Sequence, residues 1–244
     1  MREQLLYYAW KYKGDYHRIK KAIECNEPWG KIEYKGNYVT LLDEDYPIRL
    51  KRLKYPPWVL FYKGDLTLVN QKMIAVIGSR NESVYGHCCT KMLIKHINEE
   101  YGIVSGVAKG IDGLAHYYAI KENRRTIGVI GCGLDIVYPK ENESLYEEIG
   151  KHHLLLSEYP YGCKPLAFHF PWRNRIIASL CEKVVVIEAK VKSGTMITVN
   201  EALELGISVY AFPHNINNIN GEGCNMLIEQ GCSMINCIRD MNDI

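Results

Sequence analysis

The chain has 244 residues, enough for one large α/β domain with a small appendage but short for two full domains. Its 47% hydrophobic and 24% charged residues exclude a disordered tail and a collagen-like repeat. The formal net charge is only +2, yet residues 1–72 hold 14 Lys and Arg against 9 Asp and Glu, and the remainder holds 16 against 19. The location of the cations is therefore more informative than their sum.

The nine cysteines are an odd number and include no Cys-x-x-Cys pair, which argues against a disulfide framework or a zinc ribbon. Reduced thiols in the cytoplasm are the expected state. The longest uncharged stretch, residues 205–221, contains Pro213, and the amino end offers only a short apolar run before Lys11. We therefore expect neither a transmembrane helix nor a signal peptide.

The first 72 residues differ from the rest of the chain. The basic, Tyr-rich stretch 5–23 predicts one or two short helices, so residues 1–40 are expected to form a small helical appendage. Residues 41–72 contain Pro47, Pro56 and Pro57, which predict an irregular lead-in. Residues 73–244 are then the main domain.

In that main domain, apolar runs of strand length alternate with helical patterns. The predicted strands are residues 73–77, 102–105, 126–130, 153–157, 184–189 and 207–212. Helices are predicted between the first two strands, where Cys89, Leu93 and Ile97 share a face, and over 111–121, 142–149, 174–181, 197–205 and 224–230. Continuous apolar strands alternating with helices predict an α/β fold with a mostly parallel, doubly wound sheet.

Small and basic residues follow four of the predicted strands. They are Gly78-Ser79-Arg80, Ser105-Gly106, Gly131-Cys132-Gly133 and, soon after the fifth strand, Lys192-Ser193-Gly194-Thr195. In a doubly wound sheet, ligands bind beyond the carboxyl ends of the strands, where free N–H groups favour anions. Each turn alone could be an ordinary strand-to-helix connection that uses the conformational freedom of Gly. Four such turns at one edge favour a phosphate-rich ligand.

The common catalytic motifs are absent. No P-loop, His-Glu-x-x-His or Gly-x-Ser-x-Gly sequence occurs, and the two partial Gly-x-Gly motifs at residues 131 and 221 lack the third glycine of the dinucleotide fingerprint. His87-Cys88-Cys89 has no second cluster to complete a metal site, so we expect no metal. Cys132 has no assignable base and is expected to be a buried thiol.

The stretch 165–175 combines rings with cations. Phe168, Phe170 and Trp172 interleave with Arg173 and Arg175, and Lys164 precedes them. This is typical of a groove for single-stranded nucleic acid, where bases stack on rings and guanidinium groups hold the backbone. The alternative is that the rings fasten a helix start to the core while the arginines are solvated.

The motifs together resemble the DNA-processing protein A family, also called DprA or Smf. The resemblance runs from about residue 41 to 235, and its matching segments are residues 77–80 with 85–86, 105–112 with 115–116, 133–135 with 138–139, 157–158, 170–177, and 188–189 with 192–194. Many family members also have a complete helical domain in front and a winged-helix domain behind, for which this sequence offers only the short amino segment.

The resemblance implies an extended Rossmann-like domain, without a cofactor or catalytic activity, that binds single-stranded DNA as a homodimer. It also implies protection of incoming strands and loading of the RecA recombinase during natural transformation. The DNA-binding residues it implies are Gly78, Ser79, Arg80, Ser105, Gly106, Lys109, Lys140, Lys164, Phe168, Arg173, Asn174, Arg175, Lys192, Ser193 and Gly194.

Two other functions use the same sheet edge. One is a nucleotide phosphoribohydrolase-like enzyme. Residues Ser193-Gly194-Thr195 match the motif of that class only weakly, and Glu158 or Glu188 would be the acid or base. The other is a sensor that holds a nucleotide in the same pocket. The sequence does not locate the dimer surface, although the apolar residues 226–228 and Ile235 are a candidate.

Overall fold

The computed structural model describes all 244 residues and contains one nine-stranded sheet. The strands are β1 (Asn37–Thr40), β2 (Val59–Gly64), β3 (Met73–Ile77), β4 (Gly102–Gly106), β5 (Thr126–Ile130), β6 (Leu154–Ser157), β7 (Lys183–Val186), β8 (Ser208–Ala211) and β9 (Ser233–Met234). Their order across the sheet is β1-β2-β6-β5-β4-β3-β7-β8-β9. Every neighbouring pair in the part of the sheet ordered β6-β5-β4-β3-β7-β8-β9 is parallel, whereas β2 is antiparallel to both of its neighbours, β1 and β6. The predicted mostly parallel sheet is confirmed.

Nine α-helices accompany the sheet. They are α1 (Arg2–Lys11), α2 (Tyr16–Glu24), α3 (Val84–His96), α4 (Ile111–Lys121), α5 (Glu143–His152), α6 (His169–Leu180), α7 (Gly194–Glu204), α8 (Glu222–Glu229) and α9 (Ile238–Asn242). The six core helices appear where the sequence predicts them, although α6 begins five residues earlier, within the aromatic stretch. Strand β9 and helix α9 were not predicted. No helix combines the length and the apolar character that crossing a bilayer requires.

Alternation along the central strands directs side chains to two cores. In β3, Ile74 and Val76 contact the cluster under α3 and α4, whereas Ala75 and Ile77 join the cluster under α6 and α7. Since successive residues of a strand point to opposite faces, a strand buried on both sides has to be apolar throughout. The doubly wound arrangement follows from this pattern.

The expectation that residues 41–72 are irregular is wrong in one respect, because β2 lies inside this segment. Val59, Leu60 and Phe61 are fully buried, and β2 pairs with β6 from Phe61↔Ser157 to Gly64↔Leu154. The prolines lie outside the strand and therefore do not interrupt its hydrogen bonds. The division of the chain at residues 40 and 72 stays a prediction.

The amino-terminal helices pack against the antiparallel end of the sheet. Leu5 and Tyr8 of α1 and Ile19 of α2 form a small buried cluster with Phe61 of β2. The loop between the helices contacts the backbone beyond β6, and a Cβ at Gly14 would lie 2.5 Å from the Glu158 carbonyl oxygen. Gly14 also has a φ of +76°, which favours glycine. This contact places the amino-terminal segment beside the carboxyl ends of the parallel strands.

Candidate nucleic-acid interface

A cleft of about 580 Å³ lies at the carboxyl ends of β3, β4 and β7, and we call it the sheet-edge cleft. It brings together residues from three of the predicted segments. The glycine, polar and aromatic residues that line it are Gly78, Ser79, Arg80, Asp112, Tyr138, Phe170, Arg173, Asn174, Lys190, Ser193, Gly194, Thr195 and Thr198. Seven of the fifteen predicted DNA-binding residues are in this set.

The turn after β3 forms one wall of the cleft and is held by close contacts. The Thr195 hydroxyl at the start of α7 donates to the Gly78 carbonyl at 3.1 Å, and the Ile111 amide donates to the Ser79 carbonyl at 3.0 Å. A Cβ at Gly78 would lie 2.6 Å from the Ile111 side chain, so the turn requires a residue without one. The turn is consequently fixed against α4 and α7.

Arg80 stands at the mouth of the cleft. Its side chain is exposed, its guanidinium carbon lies 5.4 Å from the ring centroid of Phe170, and it takes part in none of the eight salt bridges. Tyr138 extends this surface, since its ring centroid is 5.4 Å from that of Phe170. An unpaired guanidinium beside two rings can hold a phosphate while the rings contact a base.

Asp112 lies on the floor of the cleft. Burial raises the pKa of its carboxyl to about 7, although the charges of Arg173 and Arg80 favour the ionised form. Near neutral pH, the floor of the cleft carries a carboxyl that is only partly ionised.

Arg173 is buried beneath the cleft, with 4% of its surface exposed. Its guanidinium donates to the Val129 carbonyl, its Nε has no partner, and burial lowers its pKa while Asp112 raises it. A Cβ at Gly106 would lie 2.1 Å from the Nη1 of Arg173. The glycine at the end of β4 thus makes room for the guanidinium and does not itself line the cleft.

Arg175 is also buried, and its donors are used inside the protein. It forms a salt bridge of 2.7 Å with Glu158, and the two side chains are 4% and 3% exposed. It also donates to the Tyr55 and Trp172 carbonyls at 3.0 and 2.8 Å. The Arg175 side chain is therefore not on a DNA-binding surface, because α6 is buried from Arg173 to Leu180.

The predicted residues whose contacts have not yet been described lie in three places. Ser105 is buried and donates to the Val76 carbonyl at 2.6 Å, and the Asn174 amide donates to the Gly194 carbonyl at 3.2 Å, joining α6 to α7. Lys109 is exposed, forms a salt bridge with Glu141 and lines a small pocket of about 70 Å³ beside Arg80. Three further predicted residues, Lys140, Lys192 and Lys164, are exposed outside the sheet-edge cleft.

Lys164 and Phe168 line a second cleft of about 540 Å³, which we call the aromatic cleft. It is formed by residues 11–18 of the amino-terminal segment together with Tyr159, residues 162–164, Leu166, Phe168, His169 and Trp172. Sequence reasoning did not find this cleft. Its signal was the basic, Tyr-rich character of residues 5–23, which was assigned only to helices.

The candidate catalytic groups are occupied by structural contacts. Glu158 pairs with Arg175, and Glu188 accepts from the Ser83 amide at 3.0 Å and the Ser83 hydroxyl at 2.9 Å at the start of α3. Cys132 is buried, and burial raises the pKa of its thiol to about 12. No three His, Cys, Asp or Glu side chains come together in an arrangement that could hold a metal ion.

The sequence profile of a family described as DNA recombination-mediator protein A matches residues 37–244. The chain belongs to this family. It is 46% identical over 202 residues to the DNA processing protein DprA of Streptococcus pneumoniae, covering 83% of this chain and 72% of that protein. It is 43% identical to the Bacillus subtilis DprA, covering 82% of this chain and 68% of that protein.

Solved structures of the family share the fold. The X-ray structure of DprA from Streptococcus pneumoniae superposes with a TM-score of 0.83 at 42% identity, over 92% of this chain and 78% of that one. DNA processing protein A from Helicobacter pylori superposes with a TM-score of 0.76 at 31% identity, over 86% of this chain and 95% of that one. The Helicobacter protein is described for its single-stranded DNA binding mode. The Rossmann-like fold of the DprA family is thereby confirmed for this chain.

Proposed function

We propose that this member of the DprA family binds single-stranded DNA along the carboxyl edge of its parallel sheet and performs no chemical step on it. The observation that carries the proposal is the exposed, unpaired Arg80 beside Phe170 at the mouth of the sheet-edge cleft. Lys190 lines this cleft, Lys192 is exposed two residues further along the chain, and both add positive charge. The single-stranded DNA binding of the Helicobacter pylori relative supports the same ligand.

The mechanism is electrostatic and steric. Arg80 and the surrounding lysines neutralise phosphates, and the ring of Phe170 stacks on bases without reading their sequence. Arg173, buried under the cleft, adds positive potential from below without touching the strand. Arg175 is assigned to the fold, because its charge is paired with Glu158.

The finer function follows the family. We infer that the chain acts as a homodimer which protects incoming strands and loads RecA onto them during natural transformation, in the cytoplasm, as the cysteine usage predicts. The description of the family as a recombination mediator supports this step. Filament formation by RecA on a strand coated with a single-strand-binding protein should begin sooner when this protein is added, and sedimentation should give the mass of two chains.

Binding is tested by fluorescence anisotropy of labelled oligo-dT. Hydrogen bonds to charged groups contribute about 1.5 to 3 kcal/mol, so Arg80→Gln should weaken binding by at least about tenfold. Loss of one phosphate contact should also reduce the slope of log K against log salt by about 0.7. Arg239→Gln removes an exposed arginine of α9, far from the cleft in sequence, and serves as the matched control. Equal affinities of the two variants would remove Arg80 from the phosphate site.

The enzyme alternative predicts a different result. Glu158 and Glu188 are both used in internal contacts, which leaves neither free as a general acid or base. Incubation with nucleoside monophosphates should therefore release no base, as followed by chromatography. Released base that disappears in Glu188→Gln would favour the enzyme, and a nucleotide seen by native mass spectrometry of the purified protein would favour the sensor.

A further inference from the structure

The aromatic cleft has the composition of a nucleic-acid site. Four cations, Lys11, Lys13, Arg18 and Lys164, line it, against one carboxylate. That carboxylate, on Asp15, accepts the Arg18 amide at 3.0 Å and thereby caps α2. Lys13, Arg18 and Lys164 form no salt bridge, so three of the four cations that line the cleft are unpaired.

The walls of the aromatic cleft are held by ring contacts. Tyr16 stacks on Trp58 with centroids 5.4 Å apart, and the Trp58 Nε1 donates to the Tyr16 carbonyl at 3.2 Å. Trp172 lies 6.4 Å from Tyr16 and 5.5 Å from Tyr55. These contacts join the amino-terminal segment to α6, so the cleft is already formed in the absence of a ligand. Binding then requires little further ordering.

Phe168 is the most exposed ring at this site, with 67% of its surface accessible. Its ring packs edge-on against His169 at 4.6 Å, and no other aromatic contact covers it. An exposed phenylalanine next to unpaired cations is suitable for stacking on a base while the cations hold the phosphates. The Arg18 guanidinium lies 4.8 Å from the centroid of Tyr12, and both residues line the cleft, so the cation is held next to a ring at the site.

The two clefts share one wall, which is the segment before and at the start of α6. Ala167 and Phe170 line the sheet-edge cleft, whereas Leu166 and Phe168 line the aromatic cleft. Both clefts lie beyond the carboxyl ends of the parallel strands, since the loop containing Gly14 contacts the backbone that follows β6. A strand that leaves the sheet-edge cleft over this wall therefore reaches Phe168 and the cations of residues 13 and 18.

We propose that the aromatic cleft is a second subsite for the same DNA strand, completed by the amino-terminal segment. This inference rests on the proposed function of the sheet-edge cleft. Lys13 and Arg18 neutralise phosphates there, and Phe168, Tyr16 and Trp172 offer rings for the bases. The subsite adds length to the bound strand, so it contributes to the affinity for long oligonucleotides and not for those that fill only the first cleft.

The experiment compares oligo-dT of about 5 and about 20 nucleotides, since OB folds, a well-characterised class of single-strand binders, cover about 4 to 16 nucleotides. The variant is Lys13→Gln with Arg18→Gln, and the control is Lys20→Gln with Lys21→Gln. Each double variant removes two positive charges from the amino-terminal segment, but Lys20 and Lys21 are exposed outside the cleft. Circular dichroism establishes that both variants keep the helical content of the parent.

The expected result depends on length. The Lys13 and Arg18 changes should lower affinity for the long strand about tenfold, reduce its salt slope by about 1.4 and leave the short strand unchanged. The control should match the parent for both lengths. Cross-linking of a long strand that carries 5-iodouracil should, in addition, label Phe168, Tyr16 or Trp172, which a change in folding would not mimic.

Four results are decisive. Equal affinities of the Lys13 and Arg18 variant and its control for the long strand, or equal losses for both lengths, would overturn the second subsite. Cross-links confined to residues of the sheet-edge cleft would also overturn it. If the parent binds neither length, the proposed function itself is wrong, a failure that the parent alone reveals before any variant is compared.

Discussion

The buried pair of Arg175 and Glu158 makes a strong prediction about stability. Arg175→Met keeps an apolar chain of similar length but leaves the Glu158 carboxylate without its cation, and the Glu158 Oε2 already has no hydrogen-bond partner. The Tyr55 and Trp172 carbonyls lose their donors as well. Breaking a buried ion pair by removing one partner costs about 3 to 5 kcal/mol. For a domain of this size, the melting temperature should fall by about 6 to 20 °C.

Thermal and urea unfolding followed by circular dichroism measure this effect, and two variants bracket it. Glu158→Leu combined with Arg175→Met removes both charges and should recover a large part of the loss. Arg2→Met breaks the Arg2–Asp43 salt bridge, which has a similar length of 2.8 Å but side chains that are 52% and 21% exposed, and should cost at most about 1 kcal/mol. If Arg175→Met unfolds like the parent and loses only DNA binding, Arg175 is a surface ligand and the reasoning from burial is wrong.

Two further predictions concern the sheet-edge cleft. The pKa of Asp112, about 7 in the folded chain, lies above its ordinary value, so its contribution to stability is present at low pH and is lost as pH rises through 7. Unfolding free energies measured at pH 5 and 8 should differ less in Asp112→Asn than in the parent, and an unchanged pH dependence would contradict this. Gly106→Ala places a methyl group against the buried Arg173 and should destabilise by about 2 to 4 kcal/mol in thermal unfolding. Gly194→Ala, whose Cβ meets no atom within 4 Å, should remain within about 0.5 kcal/mol, and equal effects of the two changes would argue against the steric reason.

The central sheet was predictable from the sequence because its strands are apolar on both faces. Strands β3 and β5 and helix α4 have the predicted bounds. Strand β2 was not predicted, since its short apolar run lies between two prolines and the polar end of the strand, and its partner β6 is almost a hundred residues away. Pairing between distant segments is not encoded in local periodicity.

The cleft was predictable in its location but not in the role of each side chain. The small residues after β3 and at the start of α7 do meet at one edge, as the rule for doubly wound sheets predicts. The burial of Arg173 and Arg175 was not predictable, because the groups that accept hydrogen bonds from them, the Val129 carbonyl and the Glu158 carboxylate, reach α6 only in the folded chain. The aromatic cleft was missed for the same reason, since Lys13 and Lys164 meet only in the folded chain.

The order of strands in the sheet also constrains how the chain acquires its structure during synthesis. Strand β3 is flanked by β4 and β7, and its pairing with β7 joins Ile74 to Lys183. The middle of the sheet therefore remains open on one side until most of the polypeptide has left the ribosome. Such distant pairing slows folding and prolongs the exposure of apolar strand edges, a period in which nascent chains are prone to aggregate and to engage chaperones.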